Sequence, residues 1–261
     1  MENSDGIRIV QYESWPHFKS DFVQDLAGQS IMERDRFVFR GHQSADWCLT
    51  PSFDRTYSSI PLERRPKLAK ELMENFTRYV GEYDPKSIRS RRIGPDEDEM
   101  WLMALAQHHG LPTRLLDWSR SPYIASYFAF TDLLISGMSC ESTHVAIWAM
   151  DTTSEIWSEH CGVRLVKVPR HIDERIRNQG GLFSLSVIPL ASLEDHHRSM
   201  DPASPALTKF LVPQEEAAVA IEDLHTMDIH HAQLFPGYEG CVRAARIQLA
   251  PTLAKITPAR N

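Results

Sequence analysis

Residues 37–41 read Phe37-Val38-Phe39-Arg40-Gly41. Aromatic and β-branched residues favour an extended, half-buried backbone, and the closing glycine marks the strand end. A period of two places Phe37 and Phe39 on one face and Val38 with Arg40 on the other. Arg40 keeps its proton and presents a fork of donors suited to phosphate or carboxylate, so on the face away from the phenylalanines it is a good anion clamp. A buried ion pair, with Asp117 as partner, accounts for the same arginine. Gly41 permits either a ligand's close approach to the backbone or a turn.

Outward from this strand, Ile7 to Gln11 alternates as a second one. Ser14-Trp15-Pro16 then opens a helix whose Phe18, Phe22, Val23 and Leu26 recur at helical spacing, with Gly28 as its stop. On the other side, residues 61–81 carry Leu68, Leu72, Phe76 and Tyr79 in an amphipathic helical pattern. The acidic run Asp96 to Glu99 suits a helix N-terminus ahead of Trp101, Leu102 and Leu105, and Gly110 and Pro112 end that helix. Thr113, Arg114 and Asp117 are expected in a loop between two helices. Ser121-Pro122 opens the next helix, apolar on nearly every side from Tyr123 to Phe130 and therefore central.

The second half supplies most of the sheet: residues 145–150, 163–168, 182–188 and 210–212 are strand-like. Residues 191–205, with His196-His197 and two prolines, are expected as a long exposed connection, and Gln214 to Leu224 as the last substantial helix. No internal repeat or composition break divides the chain. The expectation is a single α+β domain, with a mixed, mainly antiparallel sheet and a helical N-terminal half packed against it.

At 261 residues the chain buries enough surface to need no staples. Its 28 Lys plus Arg against 35 Asp plus Glu give a net charge of -7, which disfavours nucleic-acid binding driven by overall charge. The longest apolar stretch, Tyr123 to Ala129, is too short to span a membrane, and the opening MENSDGIRIV resembles no export signal, so a cytoplasmic protein without a membrane partner is expected. Cys48, Cys140, Cys161 and Cys241 form no C-x-x-C pair and are expected as buried free thiols. P-loop, G-x-G-x-x-G and G-x-S-x-G motifs are absent, which disfavours those hydrolase and dinucleotide-fold classes without excluding an enzyme.

Three blocks carry a family resemblance. Phe39-Arg40-Gly41 is followed by Trp47, Leu49, Pro51, Ser52 and Arg55. Gln107-His108-His109-Gly110-Leu111-Pro112-Thr113-Arg114-Leu115-Leu116-Asp117-Trp118 runs into Ser121-Pro122 and Tyr127-Phe128-Ala129. A weaker block joins Gln179-Gly180-Gly181-Leu182-Phe183 to Leu234-Phe235-Pro236-Gly237-Tyr238-Glu239-Gly240. On these residues the chain resembles the FRG domain family, named for a Phe/Tyr-Arg-Gly motif. The resemblance implies a partition into a strand-helix extension at 1–35, an FRG-like domain at 36–250 and a tail at 251–261.

Arg40-Gly41 and Ser119 to Ala129 are also similar, more distantly, to two parts of ADP-ribosyltransferases. There an Arg-Gly pair helps hold a nicotinamide dinucleotide, and a Ser/Thr-rich segment runs into an aromatic-Ala pattern. Gln214-Glu215-Glu216 is similar to their Gln-x-Glu element, and it also stands where a helix start favours acids. This likeness implies NAD as substrate, no metal, and a carboxylate that stabilises an oxocarbenium-like centre, with Glu216 and Glu239 as candidates. It leaves the acceptor macromolecule, or water, undefined.

The expected catalytic set is thus Arg40, Asp117, Glu216 and Glu239, and the expected dinucleotide contacts are Arg40, Gly41, His108, Thr113, Arg114, Ser121 and Gln179. Each has a plainer reading. His108 and His109 fit hydrogen-bonded core histidines at a helix end, Asp117 or Ser121 a helix cap, Gln179 a bridge between loop backbones, and Glu239 an exposed turn. Arg89, Arg91 and Arg92 fit a solvated loop. A non-catalytic small-molecule or protein-binding module and a nuclease are the alternative function classes, the latter lacking a metal-binding carboxylate cluster.

Overall fold

The structure, a computed structural model, describes residues 3–4, 7–26, 36–84, 95–136, 142–167 and 182–256. Gln179, Arg89, Arg91, Arg92 and Cys140 lie outside them. The fold is α+β, with a mixed, mainly antiparallel sheet as expected, but the strands form two sheets instead of one.

The larger sheet has the order β1 (Asn3–Ser4), β2 (Ile7–Gln11), β8 (Leu207–Pro213), β5 (His144–Asp151), β3 (Phe37–His42). Its one parallel pair is β2 with β8, in the register Arg8↔Thr208 to Gln11↔Leu211. The smaller sheet, in the order β4 (Leu115–Trp118), β7 (Leu182–Ser186), β6 (Val163–Lys167), is wholly antiparallel. Residues 115–117 are therefore strand, where the sequence reads as loop. Pro112 and Thr113 suggest a turn, but pairing with residues some seventy positions later outweighs local chemistry.

One face of the large sheet is covered by α1 (Trp15–Asp25), α5 (Pro122–Ser136) and α7 (Ala217–Thr226), through Trp15, Phe18, Phe39, Ala129, Phe130, Phe210 and Leu224. The other face meets the small sheet through Val38, Trp148, Met150, Leu116, Trp118 and Leu182. The period of two along β3 decides which core receives Phe39 and which Val38. Outside the small sheet lies α4 (Pro95–His108), packed through Met100, Met103 and Ala104 on Leu115 and Phe183. The layers run helices, sheet, sheet, helix.

The segment expected as an N-terminal extension is built into this core. Tyr12, Trp15 and Phe18 are buried, and β2 pairs inside the large sheet. The residues expected as an exposed connection contain α6 (Leu193–Met200), capped by Ser192 Oγ accepting from Asp195 N at 3.1 Å. His196 and His197 are buried on Trp157, with their Nε2 atoms on the carbonyls of Ile156 and Ser204. Beyond α7 come α8 (His231–Leu234) and the long α9 (Tyr238–Ile256). So 214–224 does not hold the last substantial helix, and the expected tail begins inside α9. The described cysteines are free, but Cys48 and Cys241 are exposed, contrary to the buried thiols expected.

Among the described residues, no helix is long and apolar enough to cross a membrane. Nor does any group of three or more His, Cys, Asp or Glu side chains there stand ready to hold a metal ion.

Candidate functional site

Among the described residues, one isolated bridge joins the backbones of the two sheets. Phe39 and Ser119 exchange backbone hydrogen bonds, each 2.7 Å, in an isolated antiparallel bridge between the edge strands β3 and β4. Arg40 follows the bridge on one strand, and Asp117 and Trp118 precede it on the other. A cleft of about 910 Å³ opens there. Gly41 also faces it, and it has a packing role beyond the two expected. A Cβ on Gly41 would stand 1.9 Å from the carbonyl oxygen of Ala125, so glycine lets α5 lie directly on β3.

Arg40 is held from two sides. Its Nη1 donates to the Asp117 carbonyl oxygen at 2.9 Å and lies 3.5 Å from Asp117 Oδ2, and its Nε donates to His42 Nε2 at 3.1 Å. Of the two sequence readings of Arg40, the pairing with Asp117 is present. Its side chain keeps 19% exposure and lines the cleft. Asp117 is half exposed and also accepts from Gln107 Nε2 at 2.6 Å. Gln107 Oε1 accepts in turn from the Thr113 hydroxyl.

His42 completes the chain on the other side of Arg40. Because Arg40 Nε can only donate, His42 Nε2 accepts, and the ring proton sits on Nδ1, which donates to the Trp47 carbonyl at 3.3 Å. Burial, and after it the Arg40 charge, push the His42 pKa down to about 3, partly offset by the Trp47 hydrogen bond. The imidazole is thus neutral across the physiological range. Hydrogen bonds link Thr113, Gln107, Asp117, Arg40, His42 and Trp47, with Asp117 accepting from Gln107 on one side and from Arg40 on the other.

The remaining expected residues fall in different places. His108 lines the cleft, and it and His109 are exposed at the end of α4, not core histidines. Thr113 and Arg114 are buried behind the wall, and neither lines the cleft. Arg114 Nε instead donates to Asp54 Oδ2 at 3.1 Å, and Arg65 stands 3.7 Å from Asp54 Oδ1. Ser121 caps α5, accepting from Ile124 N at 3.3 Å, and does not line the cleft.

The two carboxylate candidates separate. Glu216 Oε2 accepts from Trp15 N at 2.9 Å and is not among the cleft residues. Glu239 does line the cleft, from the first turn of α9 and not from the turn expected, beside Phe235 and Arg243. Sequence reasoning passed over His42, Gln107 and Arg243 as site residues. The first two could have been flagged by their spacing: His42 shares a strand face with Arg40, and Gln107 opens the block that contains Asp117.

The family model of the FRG domain matches residues 35–135. Searches of curated proteins and of solved structures gave no match to the chain. The matched span holds Arg40, His42, Gln107 and Asp117, and hence one wall of the cleft, whereas Glu239 and Arg243 lie outside it. The residues that seat Arg40 therefore lie within the span, positions 35–135, that matches the family model of the FRG domain.

Proposed function

We propose that the cleft binds a nicotinamide dinucleotide and that the protein transfers its ADP-ribose or cleaves the nicotinamide-ribose bond. The observation that carries this reading is the seat of Arg40: a permanent cation oriented by Asp117 and His42, with Glu239 facing the same cleft. A preorganised guanidinium takes a phosphate oxygen without reorganising.

In the step itself, the bond from ribose C1′ to the nicotinamide nitrogen breaks. Nicotinamide leaves neutral with the bonding pair, and the positive charge develops at C1′ and the ring oxygen. A water or an acceptor side chain then forms the new bond to C1′ and gives its proton to Glu239. Glu239 has both charge and access for this step, whereas Glu216 is occupied by the Trp15 amide.

A non-catalytic binding module is the second reading, favoured by the commitment of Arg40 Nε and Nη1 to protein partners. Incubation with dinucleotide labelled in its nicotinamide ring, with and without cell extract, separates the two. Release of labelled nicotinamide is the expected result. Saturable binding without release makes the protein a binding module, and absence of both overturns the dinucleotide reading.

A further inference from the structure

The segment that joins β3 to α2 (Ser52–Thr56), with α2 itself, puts further residues on the cleft, among them Trp47 and Arg55. Trp47 is 47% exposed, unlike Trp15, Trp118 and Trp148, which are buried. Its loop is nonetheless held firmly. Ala45 N donates to the His144 carbonyl at 2.9 Å, Lys209 Nζ donates to the Ala45 carbonyl, Gln214 Nε2 to the Gln43 carbonyl at 2.8 Å, and His42 to the Trp47 carbonyl. A large flat ring kept exposed on a fixed loop at a cleft is a stacking surface.

Arg55 donates to the Thr50 carbonyl and faces the same cleft as Arg40. Partial burial, and then the Arg40 charge, pull the Arg55 guanidinium down from its ordinary range, while Asp117 pulls it back. Two guanidiniums share one cleft, an arrangement that an anion spanning both relieves. Asp46 and Glu239 face the cleft as well. They disfavour a bare polyphosphate and suit the hydroxyl donors of a sugar. The volume of about 910 Å³ is at the upper end for small-molecule sites, more than nicotinamide or a lone phosphate fills.

We infer that Arg40 and Arg55 together take a diphosphate while Trp47 stacks the adjoining base, so that the cleft selects a nucleoside diphosphate carrying its sugar. The inference rests on the dinucleotide reading and assigns recognition to the adenosine diphosphate half of that ligand.

Calorimetric titration of the whole protein with ADP, AMP, inorganic pyrophosphate and the dinucleotide tests it. ADP should bind roughly tenfold or more tighter than AMP or pyrophosphate. Trp47→Ala should weaken ADP roughly tenfold and leave pyrophosphate unchanged, with Trp47→Phe recovering most of the loss. Arg55→Ala should abolish the preference for ADP over AMP. If the dinucleotide binds and releases nicotinamide but ADP shows no preference, or Trp47→Ala binds ADP as the parent does, the inference falls and the dinucleotide reading stands. If the ADP pattern appears without nicotinamide release, the inference stands and the proposed chemistry falls. If no nucleotide binds, both fall.

Discussion

Nε of Arg40 donates to Nε2 of His42 at 3.1 Å, between two side chains on the same face of β3, and this bond fixes the histidine tautomer as well as the arginine's direction. The histidine therefore serves Arg40 only while it is neutral.

That requirement gives a pH dependence. The His42 pKa is about 3 in the folded protein against an ordinary 6.5, so below 6.5 the unfolded chain binds a proton that the folded chain refuses. The stability associated with His42 is complete above pH 6.5 and is lost as pH falls toward 3, at up to about 1.4 kcal/mol per pH unit. Chemical denaturation at a series of pH values should show a shallower acid slope for His42→Gln than for the parent. Identical slopes would remove His42 as the source.

Gly41→Ala should destabilise severely. The new Cβ meets the Ala125 backbone at 1.9 Å, where no side-chain rotation can relieve it. Overpacking alone costs about 1–3 kcal/mol, and displacing α5 from β3 should exceed that range. A thermal melt that matches the parent would contradict this packing.

Asp54→Asn separates fold from cleft. Asp54 is fully buried between Arg114 and Arg65, and removing its charge leaves cations without their partner, at a cost of about 3–5 kcal/mol. Urea denaturation should show that loss, while nucleotide affinity of the folded fraction stays within about twofold of the parent because Arg114 does not line the cleft.

Glu239→Gln and Glu216→Gln should divide cleanly. Loss of an acid-base group typically lowers turnover by about 10²-fold or more, and that loss is expected for Glu239→Gln alone. Glu216→Gln keeps an acceptor for the Trp15 amide, so it should lower stability by about 1 kcal/mol at most and leave nicotinamide release unchanged. The reverse pattern would move the carboxylate role to Glu216.

Strands β2, β3 and β5 and helices α1 and α5 were readable in the sequence because each concentrates apolar residues at its own period or carries its cap: Ser14 caps α1 and Ser121 caps α5. Helix α9 was not, because Tyr238, Val242 and Leu249 are exposed on it and no apolar stripe marks a buried face. Helix α6 was hidden by its histidines, whose burial depends on Trp157 and Ile156, some forty residues away. Within the site, Arg40 and Asp117 could be found from their motif blocks. Glu239 was named with the wrong local structure, and Arg114 was misplaced because its partner Asp54 stands sixty residues earlier. Partnership at that separation leaves no periodic trace in a single chain.

The parallel pairing of β2 with β8 also governs the order of events during synthesis. Arg8 finds its register partner Thr208 two hundred positions later. At about 5–20 residues per second, the ribosome needs roughly 10–40 s to cover that distance. Through that interval Tyr12, Trp15 and Phe18 have neither β8 nor α7 to lie against, and the Trp15 amide waits for Glu216. An aromatic segment made early is thus among the last to be secured. Before then its aromatic side chains lack part of the cover they have in the folded protein.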